Sequence, residues 1–238
     1  GGLFDSTGPK IFERQKEIFL KHLDTAGPAH YDNTIPIDIV GFSRGAVVGM
    51  RFANFIEDNI SEGGYFQYQK THQDPEKPWN PRVLSYSACL DLRFIGIFDT
   101  VAQHGYLGLK NATLNYSASP SWGLISHAAA LNEYRDLLPL VTYQDDDFVM
   151  EQGFLGNHSD LGGVHVPGNP TDRDNPHPDK LYGDLSHIPL TWMHTQAQTI
   201  GVPFKSLDQG ETVEGSELHK VKNPVMHNTY GDFETVIF

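Results

Sequence analysis

The sequence predicts an α/β fold, a mainly parallel sheet with helices on both faces. Three observations carry this expectation. Short apolar, β-branched runs alternate with longer stretches of helical period. One such run leads through a glycine-flanked turn straight into an apolar helix at Ile35 to Ile60. The size and composition, 238 residues with 39% hydrophobic and 20% charged, suit one α/β domain.

Gly1 to Gly8 reads as a loop with no strand ahead of it. Pro9 to Ala26 follows as an amphipathic helix, with Ile11, Phe12, Ile18, Phe19 and Leu23 near helical spacing and Gly27-Pro28 as its stop. Ile37, Ile39 and Val40 then make a buried strand. Gly41-Phe42-Ser43-Arg44-Gly45 is G-x-S-x-G, and Ala46, Val47, Met50, Phe52, Ala53, Phe55 and Ile56 give the next helix. Strand, tight turn and helix are the setting of a nucleophile elbow. Serine at the apex projects its hydroxyl clear of the sheet. The two glycines are expected to make room where strand and helix crowd the turn. The helix N-terminus aims N–H groups and positive dipole at a developing oxyanion, with the Arg44 N–H as one donor. The competing reading is a serine that merely caps the helix.

Residues 61–82 lack any period and read as a surface excursion, with Tyr65, Phe66, Tyr68 and Trp79 either a lipid-facing rim or anchors for the loop. Leu92 to Phe98 is a strong strand ending at Asp99. An acid at the carboxyl end of a strand stands where open α/β sheets gather catalytic groups, and it can orient a histidine; it can equally cap a turn. Residues 102–122 read as loop. Ser126 to Leu138 is expected to be a helix capped by Ser126, carrying Glu133 and Arg135 at a spacing that keeps them apart. Asp145-Asp146-Asp147 is an acidic turn without the ligand spacing of a calcium loop. Phe148 to Leu155 is a third strand, running into Gly156-Asn157-His158-Ser159-Asp160. A histidine directly after a strand can reach the elbow, and the chain order Ser43, Asp99, His158 is that of α/β-hydrolases. The fold expected is therefore α/β-hydrolase-like.

Alternatives stand beside this trio. Asp160 could replace Asp99 as the orienting acid. His227, late in the chain, is a second candidate base. His158, Asp160 and His165 could instead hold a metal, though on a glycine-rich loop this is the weaker reading; no metal and no cofactor are expected. Residues 167–184 read as a second surface excursion. Leu185 to Gly201 reads as an amphipathic helix with Ser186 as N-cap, and the tail from Lys205 is polar and aperiodic.

Composition excludes several functions. A net charge of −13 argues against a nucleic-acid partner. The single cysteine, Cys89, excludes an internal disulfide framework. No apolar run is long enough to cross a bilayer, and no signal peptide is read.

GFSRGA (Gly41 to Ala46), IGIFDTV (Ile95 to Val101), HAAALNEYR (His127 to Arg135), GFLGNHSDLGG (Gly153 to Gly163) and LSHIPLTWMHTQA (Leu185 to Ala197) occur in this order. Together they resemble the α/β-hydrolase domain of the type VI secretion phospholipase effectors and the uncharacterised proteins grouped with them. The resemblance covers most of residues 37–204. It implies a Ser-Asp-His hydrolase cleaving acyl esters of membrane phospholipids. Ser43 would be nucleophile, Asp99 acid and His158 base. It also implies an antibacterial toxin sent by the type VI apparatus to the periplasm or membrane surface of a target cell. Its partners would be a secretion-apparatus carrier and an immunity protein. The family's domain opens with a strand bearing an Asp-Gly-Thr turn. This chain, read as one domain over 1–238, is therefore expected to lack its N-terminal strand and to be a fragment of a longer protein. Asn132 stands where the family often has Asp. An inactive binding module, an esterase on a non-lipid substrate and a metal-dependent hydrolase are the other functions weighed.

Overall fold

The computed structural model describes residues 4–5, 7–26, 34–73, 75–76, 79–103, 105–106, 115–136, 138–164, 184–205, 207, 221, 224–227 and 233–235. The chain runs β1 (Phe4–Asp5), α1 (Thr7–Ala26), β2 (Ile35–Phe42), α2 (Arg44–Asp58), β3 (Tyr65–His72), β4 (Arg82–Phe98), β5 (Gly105–Tyr106), β6 (Leu124–Ala130), β7 (Val149–Phe154), α3 (His158–Leu161), α4 (His187–Thr199), β8 (Val225–His227) and β9 (Phe233–Thr235).

The centre is a parallel array in the order β2-β4-β6-β7. Side chains alternate across it. Ile39, Ile95, Ile97 and Ile125 meet Ala46, Met50 and Ala53 of α2 on one face. Phe94 and Ala128 meet Leu161, Met193 and Ala197 on the other. Helices therefore cover both faces, as the sequence predicts. Gly96 shows how close the fit is: a Cβ there would come within 2.8 Å of the Met193 sulfur.

Four expectations are corrected. Leu124–Ala130 is a strand, although its alanines favour helix. It lies between β4 and β7 with Ile125 to Ala129 all buried, so tertiary context overrides propensity. Ser126 is thus a mid-strand residue and caps nothing. The span 61–82 is no loose excursion, because β3 pairs antiparallel with the first half of β4 from Tyr65↔Cys89 to His72↔Arg82. Phe66 is fully buried there, packed with Leu23 of α1, Ile56 of α2 and Ala88. Tyr68 stacks between Phe66 and Tyr86. These aromatics anchor the hairpin, while Trp79 is exposed. The segments read as loops at 1–8 and 102–122 contribute β1 and β5, which pair antiparallel. The polar tail contributes the small β8–β9 hairpin.

α4 starts where the sequence places it, but Ser186 forms no side-chain capping bond. The 167–184 excursion lies outside the described residues except for Asp184. No helix among the described residues is long and apolar enough to cross a membrane.

Candidate active site

The site lies at the carboxyl ends of β2, β4 and β7, where parallel strands deliver three turns to one edge. Ser43 closes β2 at φ 58°, ψ −131°, a conformation that non-glycine residues seldom hold. The strain is fixed by neighbours. Ser43 N–H donates to the Phe98 carbonyl at 2.9 Å, and Val101 N–H donates to the Ser43 carbonyl at 3.3 Å. Gly41 is required sterically, since a Cβ there would sit 2.7 Å from the Ala46 Cα. Gly45 does not repeat that role: a Cβ there meets nothing within 4 Å. The crowding expected of both glycines therefore belongs to the first alone. Ser43 Oγ caps no N–H of α2; it lies 2.8 Å from His158 Nε2.

Asp99 follows β4 in a left-handed turn at φ 39° and is buried. Its Oδ1 accepts the Ala130 N–H at 2.7 Å, and its Oδ2 lies 2.6 Å from His158 Nδ1. A carboxylate on Nδ1 keeps the proton there. Nε2 is left with a lone pair for the serine hydroxyl.

His158 opens the one-turn helix α3. Asn157 caps that turn, its Oδ1 accepting from Ser159 N–H at 2.8 Å and Asp160 N–H at 3.0 Å. Asp160 Oδ2 returns a bond by accepting the Asn157 N–H at 2.9 Å, completing a capping box. Asp160 is thus committed to shaping the loop, while Asp99 meets the imidazole. Gly156 takes φ 113°, and a Cβ there would strike the Asp160 Cβ at 2.7 Å.

Residues after β6 hold this loop, a role the sequence reading missed. Asn132 N–H donates to the Gly156 carbonyl at 3.0 Å, and Gly156 N–H donates to Asn132 Oδ1 at 3.0 Å. Glu133 Oε2 accepts the His158 N–H at 3.2 Å. Glu133 also receives a bidentate pair from Arg135, with Nε and Nη2 at 2.9 and 2.7 Å. The expected separation of Glu133 from Arg135 assumed a helix, and outside a helix residues two apart can meet. Burial pushes the Glu133 carboxyl up, but the bonds from Arg135 and the His158 N–H outweigh it, and the group is held below its ordinary range. The block HAAALNEYR marked this stretch without revealing the direction of its side chains.

His127, on β6, is wholly buried beneath the site. Its Nε2 accepts the Thr100 N–H at 3.2 Å, and its Nδ1 lies 2.8 Å from Glu151 Oε2.

Arg44 is the first residue of α2. His227 sits on β8, which lies against α3, but its side chain is outside the described residues, as is His165. Among the described residues no three His, Cys, Asp or Glu side chains form a group able to hold a metal ion.

The fold is α/β-hydrolase-like, with a serine, an imidazole and a carboxylate in hydrogen-bond sequence at the sheet's carboxyl edge. The chain belongs to the family described as T6SS phospholipase effector Tle1-like, catalytic domain, whose family model matches residues 28–196. Among solved structures it is similar to the crystal structure of an uncharacterized protein from Pseudomonas aeruginosa, at 21% identity and a TM-score of 0.50. That match covers 90% of this chain and 30% of the other. It also matches the structure of the Tle1 effector bound to the VgrG spike from the Type 6 secretion system, at 24% identity and a TM-score of 0.35, over 53% of this chain and 24% of that one. The chain thus spans under a third of the length of either. No curated protein matches it.

Proposed function

We propose that this chain is a serine hydrolase that cleaves acyl esters of membrane phospholipids, a phospholipase of A type. One observation carries the reading: Ser43 Oγ, His158 and Asp99 form a continuous relay with links of 2.8 and 2.6 Å. His158 Nε2 takes the hydroxyl proton as Ser43 Oγ adds to the ester carbonyl carbon. Asp99 holds the ring and stabilises the imidazolium. The Arg44 N–H, at the positive end of α2, donates to the oxyanion, a contact worth a few kcal/mol, roughly 10²–10³ in rate. His158 returns the proton to the departing alcohol, the lysolipid. Water, deprotonated by the same imidazole, then releases the fatty acid and restores Ser43.

The family description supports phospholipid as the substrate class and the type VI apparatus as the route into a target cell. A secretion-apparatus carrier and an immunity protein are the partners this reading calls for. The domain assignment, one catalytic unit over 1–238, belongs to the same proposal.

The test is fatty-acid release from phospholipid vesicles, alongside labelling by a fluorophosphonate. Ser43→Ala should abolish both while keeping its thermal transition. Undiminished release by Ser43→Ala would overturn the proposal. A wild-type Ser43 inert to the probe and to every ester would leave a binding module in its place.

A further inference from the structure

An apolar pocket of about 400 Å³ adjoins the relay, walled by Val40, Phe42, Phe98, Leu161, Gly162 and Leu190. It is made from the elements that carry the site. Phe42 directly precedes Ser43, Phe98 directly precedes Asp99, and Leu161 ends the helix that His158 begins. Val40 and Phe42 share one face of β2, as residues two apart must. Ser186 alone among the lining residues has a polar side chain. A larger cavity of about 570 Å³ shares Val40, Gly41 and Phe42 with it but is chemically different, because Gln15, Asp38 and Arg44 also line it.

Phe42 joins the pocket to the chemistry. Its ring stacks on the His158 imidazole, centroids 4.5 Å apart and planes 28° from parallel. It also fills the space of a missing side chain, since a Cβ on Gly162 would meet the ring at 2.2 Å. Gly162 has φ −76°, open to any residue, so the ring's space and not the backbone demands glycine. At the outer end Val40 and Leu190 leave apolar surface open at the mouth.

Resting on the serine-hydrolase reading, we propose that this pocket receives the acyl chain of the substrate. Phe42 is the wall between the chain's first carbons and the imidazole, and Leu190 sets the length accepted. An acyl chain is the occupant these observations select. The carbonyl must sit on Ser43 Oγ, the chain must leave from there, and this hollow beginning one residue from Ser43 has an almost wholly apolar lining.

The experiment measures kcat/KM of the full chain on p-nitrophenyl acetate, octanoate and dodecanoate. Taking the octanoate-to-acetate ratio within each protein cancels any loss of folded enzyme. Wild type should favour octanoate. Leu190→Trp, which fills the mouth and lies in this pocket and not in the larger cavity, should lower the ratio by about tenfold or more, in line with roughly 10–200-fold for a methylene in an apolar pocket. Ile11→Trp, placed in the larger cavity, should leave it unchanged. An unaltered ratio in Leu190→Trp, with hydrolysis still dependent on Ser43, overturns the pocket and spares the hydrolase. A ratio lowered by Ile11→Trp alone moves the chain to the other cavity and overturns the proposal. Absence of hydrolysis and of fluorophosphonate labelling in wild type fells both readings.

Discussion

Two imidazole–carboxylate pairs among the described residues, His158–Asp99 and His127–Glu151, differ in a way that separates chemistry from scaffolding. In His158–Asp99 and in His127–Glu151 the Nδ1 lies 2.6 and 2.8 Å from a carboxylate oxygen. The second nitrogen distinguishes them. His158 Nε2 faces a hydroxyl that can lose its proton, whereas His127 Nε2 is occupied by the Thr100 N–H. A base must have a free lone pair toward its substrate. His127 has none, so its role is to hold Thr100 and, through it, the left-handed turn at Asp99. Glu151 is bound accordingly, accepting from Thr142 Oγ1 at 2.6 Å and Tyr143 N–H at 2.7 Å as well as from His127.

The largest effects fall on the first pair. Asp99→Asn should cut kcat by about 10⁴, because the amide favours the wrong tautomer. His158→Gln should cut it by about 10³ or more while the denaturant midpoint stays close to wild type. His127→Gln should show the reverse balance. Losing a buried, doubly bonded ring costs about 2–3 kcal/mol of unfolding free energy, while kcat falls only about tenfold. Equilibrium unfolding and ester kinetics on the same samples measure both axes. If His127→Gln abolished activity at full stability, the division of labour would be refuted.

A smaller effect follows from Glu151. Burial pushes its carboxyl up, but the bonds from His127, Thr142 and the Tyr143 N–H win, and the group is held at about 2, against an ordinary 4.5. A depressed carboxyl contributes stability that is complete above its unfolded value and is lost as pH falls through its folded one. Glu151 therefore destabilises the fold progressively from about pH 4.5 to about pH 2. Glu133, also held low, adds in the same direction. Urea midpoints across this window should fall more steeply in wild type than in Glu151→Gln. Equal slopes would show that the pair does not couple folding to protons.

How far these roles were legible follows from which signals are local. The elbow was readable because strand, turn residues and helix are contiguous in Ile35 to Ile60. The alternation of strands and helices gave the architecture for a similar reason. β6 was misread because local propensity favours helix in His127-Ala128-Ala129-Ala130, and only flanking strands more than twenty residues away decide otherwise. The β3–β4 hairpin was hidden by polar residues at alternate positions around Phe66, a half-exposed pattern easily taken for loop. Asp99 and Asp160 could not be told apart, since the capping box that engages Asp160 depends on backbone geometry. Nothing in the sequence separates a histidine whose second nitrogen is open from one whose second nitrogen is filled by a backbone donor.

The smallest effect tests that last distinction one residue away. Ser126 precedes His127 on β6 and is equally buried, yet among the described residues its Oγ has no hydrogen-bond partner, and neither does Thr100 Oγ1. A buried hydroxyl without a partner has lost its water and gained nothing, a cost of about 1–3 kcal/mol. Removing it recovers part of that cost, offset by the contacts of the oxygen itself. Ser126→Ala should therefore be neutral or stabilising by up to about 1 kcal/mol, with kcat within about twofold of wild type. Differential scanning calorimetry beside His127→Gln makes the contrast: two adjacent polar side chains at the same depth, one costly to remove and one not. Burial alone would make them alike. A loss of about 1 kcal/mol or more in Ser126→Ala would mean that depth, and not the hydrogen-bond partner, sets the value of a polar group beneath this site.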